Sequence, residues 1–382
     1  MLLHFRFPQY FSKKIKEEIS EVYAHASVAN LAMSMMALFE PIFLYAVLGF
    51  TINQVMLFTA LVYGTYIIFI PLGGKVASFY GYKHAIAFSV PFQILYWMVL
   101  IASQNDHSIA FIGALLYGLS KTFYWPGFHS LMARYADRDQ VGREFGVVYS
   151  LISLTHIAGP LFAGFMSQRF GFTITFIITS VIYTLSLVPL FRAREIFTPK
   201  VYEYSQTWEM YKSYPKKFLG YLGFGEEMLA LNIWPIFIYI IVKDFERAGA
   251  LATVASLLAA VLALIIGKVT DQYSKRVLIR IGAFFGSIVW VMRFMAVSFW
   301  STFFLDSLGR TSKELAFIPL STVTYIRAEN THVVPYIVFF EQSLAVGKFL
   351  ACLLGIIVFG LTGSFMALFI LAGLFTLLYM FI

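Results

Sequence analysis

The chain writes much of itself twice. Gly74-Lys75-Val76-Ala77, leading into Tyr80-Gly81-Tyr82-Lys83, returns 193 residues later as Gly267-Lys268-Val269-Thr270-Asp271, leading into Tyr273-Ser274-Lys275-Arg276. Pro41-Ile42-Phe43-Leu44-Tyr45 returns as Pro235-Ile236-Phe237-Ile238-Tyr239, 194 residues on. Pro126 and Arg134 return as Pro319 and Arg327, again at 193. Three markers at one offset, about half of the 382 residues, point to a duplicated half and to a fold of two related units.

The solvent of that fold follows from composition. The chain is 60% hydrophobic, 18% aromatic and 13% charged, with mean hydropathy +0.78, outside the range of water-soluble domains. Apolar runs of about 20 residues, each enough for a hydrocarbon core of about 30 Å, fall near 22–48, 52–74, 84–103, 107–134, 144–168, 171–191, 217–242, 248–267, 277–298, 300–326, 332–359 and 361–382. These are numbered helices 1 to 12. The expected class is an all-α integral membrane protein, six spans on each side of a central loop. The net charge of +8 could suggest nucleic acid, but its distribution argues against that partner. Twenty Lys and Arg fall on one side of the twelve-span layout and only Arg169, Lys243 and Arg247 on the other. The positive-inside rule then places both termini in the cytoplasm.

The segment Lys13-Lys14-Ile15-Lys16-Glu17-Glu18-Ile19 reads as an amphipathic, interfacial lead-in and not as a cleavable signal. Cys352 is the only cysteine and lies in an apolar run, where packing is its expected role. No Asn-x-Ser/Thr sequon occurs, which favours a prokaryotic plasma membrane. The polar stretch 192–217, with Pro199 and Pro215, reads as a cytoplasmic linker between an N-terminal bundle, 1–191, and a C-terminal bundle, 218–382.

Six plus six helices with internal duplication resemble the major facilitator superfamily. That family carries a Gly-x-x-x-Asp-x-x-Gly-Arg-Lys-like turn between helices 2 and 3 and again between 8 and 9. The second copy here keeps Gly267, Asp271, Lys275 and Arg276; the first keeps Gly74, Gly81 and Lys83 but carries Ser78, Phe79 and Tyr82 at the other places. Trp125-Pro126 through Asp137 to Arg143-Glu144-Phe145-Gly146 looks like the family's helix 4–5 passage. Gly159-Pro160-Leu161-Phe162-Ala163-Gly164 is similar to the Gly-Pro signature of its antiporters, or is a packing kink. The resemblance implies two pseudo-symmetric six-helix bundles, with helices 1, 4, 7 and 10 around a central cavity. It also implies an inner gate in which Asp271 meets Arg143 or Arg138 with support from Lys275 and Arg276, while Ser78 brings no charge to the matching place. Gly159 and Pro160 would take part in gating.

A charge at the bilayer centre costs about 2.5–3.5 kcal/mol, so each one there needs a reason. Outside the loops stand Glu40, Glu226, Glu227, Asp306, Glu314 and Glu341, against Lys121, Arg293, Arg310, Lys313 and Lys348, plus His156. All but Arg293 fall on helices 1, 4, 5, 7, 10 and 11, so a charged cavity is expected. Asp306, Arg310 and Glu314 follow at i, i+4 as an acid–base–acid ladder. Lys121 has no acid within a turn on its own helix. Glu226 and Glu227 project about 100° apart, so one of them should face the cavity; either they carry protons or they pair with Lys or Arg on helices 10 and 11. Glu341 and Lys348 each look for a partner on another helix. Glu40 serves the cavity or the outer gate, His156 is a proton relay or a helix-to-helix bond, and Arg293 is expected to snorkel outward. Trp125, Phe123, Tyr124, Tyr63 and Tyr66 are aromatic candidates for the same cavity.

Soluble chemistry is missing from the pattern: no phosphate-cradling Gly-rich loop, no metal-ligand spacing and no nucleophile elbow. The resemblance therefore implies a secondary active transporter and not an enzyme. It would work by alternating access as a proton-coupled exporter of small amphipathic or ionic organic molecules, or alternatively as a symporter importing a sugar or organic anion. A non-transporting sensor is the remaining option. The expected partners are a small-molecule substrate and the lipid bilayer, with the proton gradient in place of a cofactor, no metal, and a monomer as the working unit.

Overall fold

The computed structural model describes residues 17–135, 141–192, 199 and 201–382. Within these, the side chains of 17–20, 22, 134, 135, 141–154, 156, 263–265 and 267–272 are not described. Twelve helical spans run through it. Helix 1 comprises Glu17–Ala37, Phe39–Ile42 and a π-turn, Phe43–Val47. Helices 2, 3 and 4 are Ile52–Tyr80, Tyr82–Ala102 and Ala110–Tyr135. Helices 5 and 6 form one run, Val141–Leu185, broken at Gly171 (φ 80°) and continued by Leu187–Arg192. Helix 7 is assembled from Pro215–Leu222, Glu226–Met228 and Trp234–Val242. Helices 8 to 12 are Phe245–Gln272, Lys275–Met292, Phe299–Glu329, Val333–Thr362 and Phe365–Leu377.

Length and apolarity alone single out 8 membrane-crossing helices, and the difference from twelve is chemical. Helices 5 and 6 merge into one long span, and helix 12 is short. Helix 4 is diluted by Gly, Ser, Lys and aromatic residues, and helix 10 carries Asp306, Arg310, Lys313 and Glu314 within three turns. The spans least apolar in composition are the ones that face the cavity.

Local sequence explains the breaks. Thr51 and Gln54 close a capping box at the start of helix 2, and Ser298 and Ser301 do so for helix 10. Gly171 takes a positive φ that side chains disfavour, which lets the chain reverse between helices 5 and 6. Proline lacks the N–H that a regular turn requires. The repeated Pro-Ile-Phe segments accordingly sit beside π-turns, Phe43–Val47 after Pro41 and Leu229–Ile233 before Pro235.

Within the first six spans, helix 3 packs on 4, helix 1 on 5 and helix 2 on 4; within the last six, helix 9 packs on 10 and 12, helix 8 on 10, and helix 7 on 11. The two bundles meet along helices 2 and 11 and along helices 5 and 8. Small residues make the approaches close. A Cβ on Gly249 would stand 2.4 Å from the Pro160 carbonyl oxygen, and one on Gly159 2.1 Å from Ser34 Oγ. Gly159 and Pro160 thus serve close packing of helix 5 on helices 1 and 8. Helices 3, 6, 9 and 12 turn exposed apolar side chains outward, among them Met98, Val181, Phe285 and Leu374, as a lipid-facing surface requires.

The described part of the linker carries a helix that its polarity does not suggest. Tyr204–Ser213 is a helix packed on helix 11. Tyr204 and Tyr211, two turns apart on one face, both donate to Gln342 Oε1 at 2.7 and 3.1 Å, and Gln342 Nε2 donates to the Ile67 carbonyl of helix 2. Ile382 packs on Gly220 beside the linker, so this side of the molecule is called the linker face and the other the far face.

Candidate functional site

Between the bundles lies a cavity of about 580 Å³. Bundle contacts bracket it. On the far-face side Thr59 Oγ1 donates to Asn232 Oδ1 at 3.1 Å, and Pro160 meets Gly249. On the linker side, helices 4, 10 and 11 meet through His129, Tyr325 and Glu341. Glu40, Lys121, Trp125, Glu226, Glu227, Arg293, Asp306, Arg310, Glu314, Glu341 and Lys348 all line this one cavity. Tyr63, Tyr66 and Tyr124 join them, whereas Phe123 packs away against Phe92.

The second bundle neutralises most of its own charge. Lys313 Nζ pairs with Glu226 and reaches Glu227 at 2.9 Å; Lys348 Nζ holds the other oxygen of Glu227 at 2.8 Å. Tyr379 accepts from Lys313 at 2.7 Å, and Trp290 donates to Glu226 at 3.3 Å. Both adjacent glutamates therefore face the cavity, correcting the expectation of one. The short 3-10 turn Gly223–Gly225 and the following π-turn alter the regular 100° step that the expectation assumed. The alternative in which both pair with cations of helices 10 and 11 is the one observed. Such a network is costly to break, since losing one partner of a buried pair costs about 3–5 kcal/mol.

The helix 10 ladder is shorter than its spacing allows. Arg310 Nε reaches back to Asp306 Oδ2 at 2.8 Å, and Asp306 also accepts from Trp234 Nε1 at 2.9 Å. Glu314 is left out of that pair. Arg293 corrects a second expectation. It does not snorkel: it is 5% exposed, with its guanidinium 4.4 Å from the Trp234 ring centre and 3.7 Å from that of Trp290. Stacking between two indoles offsets the loss of water, each such contact being worth about 2 kcal/mol when desolvated.

A separate network joins the bundles. Glu341 of helix 11 accepts from Tyr66 Oη of helix 2 at 2.8 Å and meets His129 Nε2 of helix 4 at 3.0 Å. The other ring nitrogen of His129 bonds to Tyr325 of helix 10, and Trp125 stacks on the imidazole at 5.2 Å. His129 went unremarked in the sequence, although Lys121, Trp125 and His129 follow at i, i+4, i+8 on one face of helix 4. That spacing was the available signal. Trp234, Trp290, Tyr325 and Tyr379 carried none beyond their abundance.

Besides the stacked Arg293, three charged groups of the cavity, Lys121, Glu40 and Glu314, lie outside these pairs among the described residues. Lys121 Nζ sits over the rings of Tyr117 and Tyr63, at 4.2 and 5.5 Å. Among the described residues no carboxylate lies within 4 Å of it, and none of the cations lies within 4 Å of Glu40 or Glu314. Cys352 is buried and free. Of the expected gate, Arg138 and the side chains of Arg143 and Asp271 lie outside the described residues, as does the side chain of His156, the expected relay or helix-to-helix bond. Lys275 and Arg276 begin helix 9 on the linker face, Arg276 exposed.

The architecture and the cavity agree with the comparison of the chain with known families. No individual curated protein matches it. The family model described as Major Facilitator Superfamily matches residues 24–219, 196 of the 382. With that match and the twelve-helix fold, this multi-pass membrane protein belongs to the major facilitator superfamily of secondary transporters.

Proposed function

We propose that the protein is a proton-coupled transporter that exports small amphipathic or ionic organic molecules by alternating access. Its place would be a prokaryotic plasma membrane, with the linker face toward the cytoplasm as the positive-inside bias requires. The observation that supports proton coupling is the His129–Glu341 pair, an imidazole and a carboxylate that meet across the two bundles. A contact of this kind must part whenever the linker side opens. An imidazole–carboxylate contact is an ion pair only when the imidazole carries a proton, so proton binding and bundle contact are linked in such a pair. Glu226 and Glu227 are the weaker candidates for that task, because their charge is already balanced by Lys313 and Lys348. The mixture of aromatic and charged groups around the cavity supports an amphipathic or ionic solute.

Proteoliposomes containing a pH-sensitive dye, supplied with a panel of small organic ions, provide the test. Proton flow opposite to the solute is expected. Flow in the same direction as the solute would make the protein an importer. Absence of any solute-dependent proton movement across the panel would remove proton coupling.

A further inference from the structure

Lys121 and Glu314 occupy the same place in the two halves. Each stands five residues before the proline inside its helix, Pro126 in helix 4 and Pro319 in helix 10, and the two are 193 residues apart. At this one position the repeat carries opposite charges. Both side chains line the cavity and both are half-buried. Neither has a counter-ion within 4 Å among the described residues, and the cations and acids nearest in sequence are engaged elsewhere. Arg310, one turn before Glu314, is turned to Asp306; Lys313 is turned to Glu226 and Glu227; Lys348 is held by Glu227. Glu40, the third such group, lies in the same cavity on helix 1 of the first bundle. The Tyr117 and Tyr63 rings hold the Lys121 ammonium at the cavity wall.

An unpaired ammonium offered by one bundle and an unpaired carboxylate offered by the other are the inverse of a molecule with an anionic and a cationic end. A partly desolvated ion without a partner is unfavourable. A solute with both charges relieves both groups at once, while a simple cation or anion leaves one of them bare. We propose that the cavity binds a zwitterion, its carboxylate or equivalent anionic end on Lys121 and its ammonium on Glu314. Because the two contacts come from opposite bundles, binding ties the bundles together across the cavity. This deepens, and rests on, the assignment of the cavity as the solute site of a transporter.

The test uses the purified full-length chain in lipid nanodiscs, with thermal unfolding followed by tryptophan fluorescence. The probes are ω-amino acids from 4-aminobutyrate to 8-aminooctanoate, each with its length-matched alkylamine and alkanoate, so that a range of charge separations is covered. At least one amino acid is expected to stabilise the protein at a concentration about tenfold below its matched mono-ions, equivalent to about 1.4 kcal/mol. Lys121→Gln should erase the advantage over the amine, and Glu314→Gln the advantage over the alkanoate. The double exchange Lys121→Glu with Glu314→Lys should restore binding, because it mirrors the pair. Stabilisation by none of the amino acids, equal stabilisation by mono-ions, or unchanged binding in the single variants would each overturn the zwitterion site. So would failure of a monodisperse, folded double variant to recover binding. Transport is read separately: proton movement driven by mono-ions alone keeps proton-coupled transport and discards the zwitterion, whereas binding of the zwitterion without any proton movement keeps the zwitterion site and discards proton coupling.

Discussion

Replacing Glu341 by Gln probes the link between the bundles with little change of shape. The carboxylate accepts from Tyr66 at 2.8 Å and meets His129 at 3.0 Å, and it is almost fully buried. Hydrogen bonds to a charged group contribute about 1.5–3 kcal/mol each and neutral ones about 0.5–1.5 kcal/mol. The amide keeps a neutral bond from Tyr66 and loses charge assistance at both contacts, a net loss of about 1–2 kcal/mol. The ratio of linker-side-closed to linker-side-open molecules should therefore fall about 5–30-fold. Spin labels at Tyr80 and Tyr273, exposed positions on the linker face of opposite bundles, report that ratio as a distance distribution in a Cys352→Ala background. Distance distributions identical to wild type would refute the reasoning and leave the pair an ordinary packing contact.

The charge clusters predict opposite outcomes for two neighbours. Arg293→Met should be neutral or stabilising in thermal unfolding, since it replaces a buried cation by an apolar chain of similar length, whereas Asp306→Asn should cost about 3–5 kcal/mol by leaving Arg310 without its acid. Glu227→Gln should also destabilise, and more than Glu226→Gln, because Lys348 has no other carboxylate within 4 Å among the described residues while Lys313 keeps one in either variant; equal melting temperatures would contradict the network. Gly249→Val drives a side chain into the Pro160 carbonyl and should part helices 5 and 8 on the far face. Labels at Gln104 and Leu361 should then move apart. The double variant Tyr204→Phe, Tyr211→Phe leaves the Gln342 oxygen without these two donors, at a cost of about 1–3 kcal/mol, and should speed proteolysis within the linker; an unchanged cleavage rate would mean that the two hydroxyls do not anchor it.

Elements whose cause is local were legible in the chain itself. Twelve spans follow from apolar runs matched to bilayer thickness, the two-bundle plan from a 193-residue echo, and the charged cavity from ions too costly to place in lipid. Even the merged run Val141–Leu185 turns at Gly171, the first residue of the sixth span expected there. What depended on relative placement was not legible. Whether Arg310 would turn to Asp306 or to Glu314 depends on Trp234, 72 residues away, which adds a second donor to Asp306. Arg293 looked like a snorkelling residue until Trp234 and Trp290 converged on its two faces. His129 becomes significant only because helix packing brings Glu341 to it from 212 residues away. Burial cost is a property of each residue and can be summed along a sequence. Compensation of that cost requires a partner within about 4 Å, and only the tertiary structure decides which partner is there.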